Sequence, residues 1–323
     1  MKSAPKYARI ALAPCLLLLI STLSCSHSNM RKSLRSTTFQ SPQPWPVMLA
    51  AYQAWFGDGK HIDVGYASGN PQTLRKQITD AKSLGISAFV VDWYGPRKEF
   101  EDRNYAALQK VASDNDFKVA IQYDEAVDNP GASTDAVIVD LQYAYDRYLG
   151  PQAATSRQAY LRYNGHPLVF IFPKDSGVDW RQIRQVVDSW PAADRPLLIY
   201  KDFDGSYADV FDGFYAWVHP GSKGWAADGS NWGENYLEHF YTTMRSKYPD
   251  KLTVGAAWPG FDDSRAAWGQ NRHISTRCGK TFEDTLRKFR AYYNDSNPLP
   301  FLLIETWNDY EEGTAIEKGL PKC

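Results

Sequence analysis

Phe301-Leu302-Leu303-Ile304-Glu305-Thr306 is an apolar run that ends on a carboxylate and a hydroxyl, the last of eight such runs in a chain of 323 residues. Working back from it, short apolar segments lie at 252–257, 213–218, 196–200, 167–172, 118–123, 86–92 and 47–52. Each has the length of a strand. Helical patterns separate them at 70–84, 104–112, 134–149, 179–190, 235–247 and 281–293, with a weakly helical stretch at 207–211. Asn70-Pro71 opens the first helix and Gly85 follows its end, which is the expected placing of Pro and Gly around a helix. Eight strands with helices between them is the count that a closed (β/α)8 barrel requires. A single α/β TIM-barrel domain is therefore expected over 47–323. The competing doubly wound open sheet lacks its mark, a glycine-rich phosphate loop after the first strand.

The ends and the composition narrow the setting. Lys2, Lys6 and Arg9 precede an apolar run over 10–20 and then small residues, so 1–24 is expected to be a signal peptide. That run is too short to span a bilayer. Cys25 followed by Ser26 resembles a bacterial lipoprotein cleavage site, with Cys25 the expected lipidated residue; ordinary cleavage to a soluble product stays open. Residues 25–46, rich in Ser, Thr, Gln and Pro, read as a flexible tether. The protein is thus expected to be exported and monomeric, touching a membrane only through a lipid anchor. Of four cysteines, Cys278 and Cys323 remain in the domain, and an exported pair is expected to be bridged. No Cys-x-x-Cys or His-x-x-x-His spacing is present, so no metal or cofactor is expected. The net charge of −1 gives no nucleic-acid footprint. Aromatic residues make up 14% of the chain, which favours a carbohydrate partner, since ring faces stack on sugars; a well-packed core explains the same number.

In such barrels chemistry sits where strands end and run into helices. Polar and aromatic residues recur at these ends. Tyr52, Asp92, Tyr123, Asp124 and Glu125 are candidates to line a pocket, and Trp93, Trp217, Trp258 and Trp307 to stack on sugar rings. His219 is open between sugar contact and a structural role, and Lys174 with Asp175 reads as a surface ion pair. The last run leads into Glu305-Thr306-Trp307-Asn308-Asp309-Tyr310-Glu311-Glu312-Gly313-Thr314, where four carboxylates crowd together. Crowded carboxylates raise one another's proton affinity, and glycosidic cleavage needs one carboxyl protonated and one ionised. A solvated acidic turn capping a terminal helix is the alternative.

The stretch from Trp307 to Glu317 resembles the signature of glycoside hydrolase family 99, roughly Asn-Glu-Trp-His-Glu-Gly-Thr-Gln-Ile-Glu, and that of the related family 71, roughly Trp-Asn-Asp-Tyr-Gly-Glu-Ser. Pro259-Gly260-Phe261-Asp262-Asp263 with Arg265 and Trp268 is similar to a second family 99 region. The resemblance implies a barrel enzyme cleaving α-linked glycan, of the α-mannan or α-1,3-glucan type. Asp309 falls on the base and Glu312 on the general acid, and Asn308 is placed to bind a sugar hydroxyl or orient Asp309. The Asp at position 309 leans toward family 71, whereas Gly313-Thr314 and Ile316-Glu317 lean toward family 99. Glu311 replaces a His in one family and a Gly in the other. A surface glycan-binding protein with a degenerate barrel is the competing reading.

Overall fold

The computed structural model describes residues 46–124, 133–174, 177–203, 205–220 and 231–320. The signal peptide, the tether up to residue 45 with Cys25, and Glu125, Asp175 and Cys323 lie outside them. Eight parallel strands alternate with helices: β1 (Val47–Gln53), α1 (Pro71–Ser83), β2 (Ile86–Trp93), α2 (Glu99–Asp114), β3 (Lys118–Asp124), α3 (Thr134–Ala144), β4 (His166–Phe172), α4 (Trp180–Asp188), β5 (Leu197–Lys201), β6 (Gly213–Tyr215), α5 (Glu234–Lys247), β7 (Leu252–Ala257), α6 (Lys280–Tyr292) and β8 (Phe301–Ile304). Pairing runs β1–β2–β3–β4–β5–β6–β7–β8, and β8 returns to β1 with Val47 opposite Phe301 and Ala50 opposite Ile304. The sheet has no free edge between first and last strand, which is the closed barrel expected from the count of eight.

Local sequence explains the helix starts. Asn70 caps α1, its Oδ1 accepting from the N–H groups of Gln72 (2.8 Å) and Thr73 (3.2 Å), with Pro71 at the first helical position. Gly85 leaves α1 at φ +80°, a conformation that disfavours residues with a Cβ, and a Cβ there would also meet Met48 at 2.9 Å. Asp179 caps α4 in the same manner as Asn70.

Among the boundaries that differ from the sequence expectation, three bear on the rim or have a plain local cause. The weakly helical stretch at 207–211 is replaced by a single 3-10 turn at Gly205–Tyr207, so β5 and β6 are joined without a full helix. The helix expected at 104–112 begins earlier, at Glu99, because Glu99, Glu101 and Asp102 supply an acidic first turn that favours a helix N-terminus. Strand β6 stops at Tyr215. Beyond it Val218 N donates to the Glu305 carboxylate instead of to a ladder partner.

Candidate active site

The two-residue period of a strand sorts the rim residues into two sets. At the end of β1, Tyr52 points outward and donates to Gln77 of α1 (2.8 Å), while Gln53 points inward and its amide N–H meets Asp309 (3.4 Å). On β2, Trp93 faces the helices, its indole N–H on Asp102 (3.0 Å), and Asp92 faces inward. On β3, Tyr123 donates outward to Asp140 of α3 (2.8 Å), while Gln122 donates to Asp92 across the interior (3.1 Å). Tyr52, Trp93 and Tyr123 are therefore buried between sheet and helices and offer no ring to a ligand. The same correction applies to two tryptophans. Trp258 is enclosed, with its indole N–H on Trp232 O (3.0 Å), and Trp307 packs against Phe89 with centroids 5.4 Å apart. The fourth expected stacking platform, Trp217, is buried too and packs edge-on to Phe172. His219 is exposed and stacks on Tyr236 (5.1 Å). Lys174 pairs with Asp124 (3.1 Å); the expected pair with Asp175 falls outside the described residues.

The segment after β8 folds back on the barrel instead of forming a helix within the described residues. Trp307 N donates to Ala51 O (2.6 Å), and Asn308 brackets the end of β1, its Oδ1 accepting from Gln53 N (2.7 Å) and its Nδ2 donating to Gln53 O (3.0 Å). Asn308 thus positions Asp309 by mimicking a strand partner. The turn that follows is closed by Asp309 itself. Its Oδ1 accepts from the N–H groups of Glu311 (3.0 Å) and Glu312 (2.8 Å), and Thr306 Oγ1 accepts from Asp309 N (2.7 Å). Gly313 completes the turn at φ +65°, pressed against Asp262. Glu305, Asp309 and Glu311 are buried, which removes the solvated-turn alternative.

Burial dominates the electrostatics. It pushes the Asp309 carboxyl well above the usual carboxylate range, Glu312 adds to the rise, and the Glu312 N–H opposes it. Glu312 is raised as well, first by burial, with the Trp268 indole N–H and Arg272 pulling it down. Glu305, enclosed beneath them, is raised by burial against the Val218 N–H bond. Asp92 and Asp124 are raised for the same first reason. Lys201, at the end of β5 with its ammonium 3.7 Å from the Phe172 ring centre, is lowered by burial. Two carboxyls on one turn, each with raised proton affinity, are equipped to exchange protons with a substrate.

His61 and Lys201 carry no signal in the linear sequence, whereas Glu305 and Glu311 stand in the acidic segment and Trp268 in the stretch after Pro259. Glu311 contacts His61 Nδ1 (2.8 Å), and the His61 ring stacks on Trp55 (4.5 Å, 3° between planes). Trp268, 43% exposed, lies edge-on to both rings and donates its indole N–H to Glu312 Oε1 (2.9 Å). Gln53, Gln122, Lys201 and Glu305 complete the inner ring; strand alternation alone could have found the two glutamines. Cys278 is disulfide-bonded. Among the described residues no group of three or more His, Cys, Asp or Glu is arranged to hold a metal ion. Two cavities, of about 650 and 710 Å³, lie away from this rim, one beside α2 and one at the opposite end of the barrel near Val47 and Phe301. Neither touches the carboxylate pair.

No protein-family model and no curated protein matches this chain. Solved structures do. The GH99 endo-α-mannosidase of Bacteroides thetaiotaomicron is 20% identical, with a TM-score of 0.63 over 84% of this chain and 86% of that one. A protein described as glycoside hydrolase-like is 14% identical, with a TM-score of 0.58 over 84% and 86%. The β-glucuronidase of Lactobacillus rhamnosus is 12% identical, with a TM-score of 0.51 over 86% of this chain and 46% of that one. At these identities the likeness is one of fold: a TIM barrel.

Proposed function

We propose that this protein hydrolyses α-linked glycan, with Glu312 as general acid and Asp309 as base. The observation that carries the reading is the turn at the C-terminal end of β8 that holds Asp309 buried and Glu312 half-buried, with both raised in proton affinity. Glu312, less enclosed than Asp309, gives its proton to the glycosidic oxygen as the C–O bond breaks. Asp309 takes a proton from the attacking oxygen, either of water or of the substrate's own 2-hydroxyl, and water finally supplies the hydroxyl at the anomeric carbon. Gln53 holds Asp309 from below and Asn308 fixes the turn to β1. Trp268, exposed beside Glu312, supplies ring surface for a sugar.

Purified protein is expected to release reducing ends from α-mannan or α-1,3-glucan. Proton NMR of the first product distinguishes retained from inverted configuration and so the two candidate attackers. Activity against pH is expected to be bell-shaped, failing at low pH when both carboxyls of the pair hold protons and at high pH when neither does. A glycan that binds to the protein but is never cut, at any pH between these limbs, would favour the non-catalytic binding barrel instead.

A further inference from the structure

The two oxygens of the Glu312 carboxyl stand in unlike surroundings. Oε1 accepts the indole N–H of Trp268 at 2.9 Å, and Oε2 takes no hydrogen bond among the described residues. The indole is not there by chance of rotamer, because the loop that carries it is tied at both ends. Asp263 accepts from Arg272 N (2.7 Å), Arg272 Nε (2.7 Å) and Gln270 N (3.1 Å), which closes the loop around Trp268. Asp262 N then donates to the backbone oxygen of Glu312 itself (2.8 Å). The ring is also wedged edge-on against Trp55 (5.6 Å) and His61 (6.1 Å).

An indole nitrogen only donates, so the oxygen it faces must accept. A neutral Glu312 therefore carries its proton on the other oxygen. We propose that Trp268 is a positioning residue for proton transfer: it holds Oε1 of Glu312 as an acceptor, so that Oε2 bears the proton delivered to the glycosidic oxygen. The proposal rests on Glu312 being the general acid. As the leaving C–O bond breaks, the O–H bond at Oε2 breaks with it and the proton moves to the leaving oxygen. Glu312 becomes a carboxylate, and the indole N–H bond strengthens because its acceptor is now charged. The contact acts against the groups that disfavour this anion. These are Asp309 on the same turn, Glu305 below, Asp92 on β2 and Asp263 on the facing loop; Arg272, also on that loop, works with the indole.

The substitution W268F keeps an apolar ring and removes the N–H. The test is a carbon-13 NMR titration of glutamate-labelled full chain, with the Glu312 signal assigned by its loss in E312Q. In W268F the Glu312 midpoint is expected to rise by about one pH unit. On an unactivated glycan, kcat is expected to fall about 10-fold with KM nearly unchanged, whereas W268A, which also removes ring surface, raises KM as well. A Glu312 midpoint unmoved by W268F overturns the proposal. A midpoint that moves in a protein cleaving no α-linked glycan upholds the contact and overturns the glycosidase reading, so the two failures are distinct.

Discussion

Glu312→Gln will lower turnover of an unactivated α-linked glycan by about 10²–10⁴-fold, the usual worth of a positioned proton donor. On a nitrophenyl glycoside, whose leaving group departs without protonation, the same variant will lose far less. Asp309→Asn will lose both activities, because no leaving group removes the need for a base. Its structural consequence runs the other way. A carboxyl whose proton affinity is raised on folding binds more protons in the native state, so its contribution to stability falls as pH rises through that raised value. Asp309 is such a group. Asparagine retains the Oδ1 acceptor for the Glu311 and Glu312 N–H groups and carries no charge to desolvate. Its new N–H₂ meets Gln53, whose Oε1 has no partner among the described residues and can turn to accept it. D309N should therefore melt at a higher temperature than the parent near pH 7 while being inactive. Near-parental turnover in either variant would remove these two residues from their assigned roles.

Asp263→Ala will destabilise the protein by about 3 kcal/mol, the lower end of the cost of stripping a buried charge from its partner. The lower end applies because Arg272 keeps 32% of its side chain in water. Asp263 is fully enclosed, and its loss leaves two backbone N–H groups and a guanidinium without their acceptor. Urea unfolding monitored by circular dichroism reads the change. The pH dependence carries the same signature. Burial pushes Asp263 up, but the Arg272 guanidinium and the N–H groups of Gln270 and Arg272 outweigh it and hold the carboxyl below its usual range. Its stabilisation is thus complete above the unfolded value of about 3.9 and is lost as pH falls through the folded one. The parent is expected to lose stability on acidification through that window, and D263A to lose less. Equal acid sensitivity in the two proteins would contradict this account.

The strand pattern was readable because each apolar run obeys local rules, from the Asn70-Pro71 start of α1 to the Phe301 run of β8. The site was readable only in part. Asp309 and Glu312 stand in a motif, so their neighbours in sequence identified them. Gln53, by contrast, reaches Asp309 across 256 positions, and His61 reaches Glu311 across 250; no local pattern encodes such pairs. The aromatic residues erred for a different reason. Tyr52, Trp93 and Tyr123 stand at strand ends, as rim residues should, but the strand period turns each toward α1, α2 or α3. The inward positions beside them are held by Gln53, Asp92, Gln122 and Asp124. Trp55 and Trp268 come from loops, where period gives no guidance, and only tertiary packing brings their rings together.

The Asn308 bracket on β1 ties the chemistry to the order in which the chain is made. Asp309 is aligned by bonds to a strand synthesised some 250 residues earlier, and β8 must be in register with β1 before those bonds exist. A growing chain that has completed seven strands can be compact, yet it has neither carboxyl of the pair. On the proposed reading, cleaving power is therefore expected to switch on in one step, after residues 301–317 have emerged and the ring has shut.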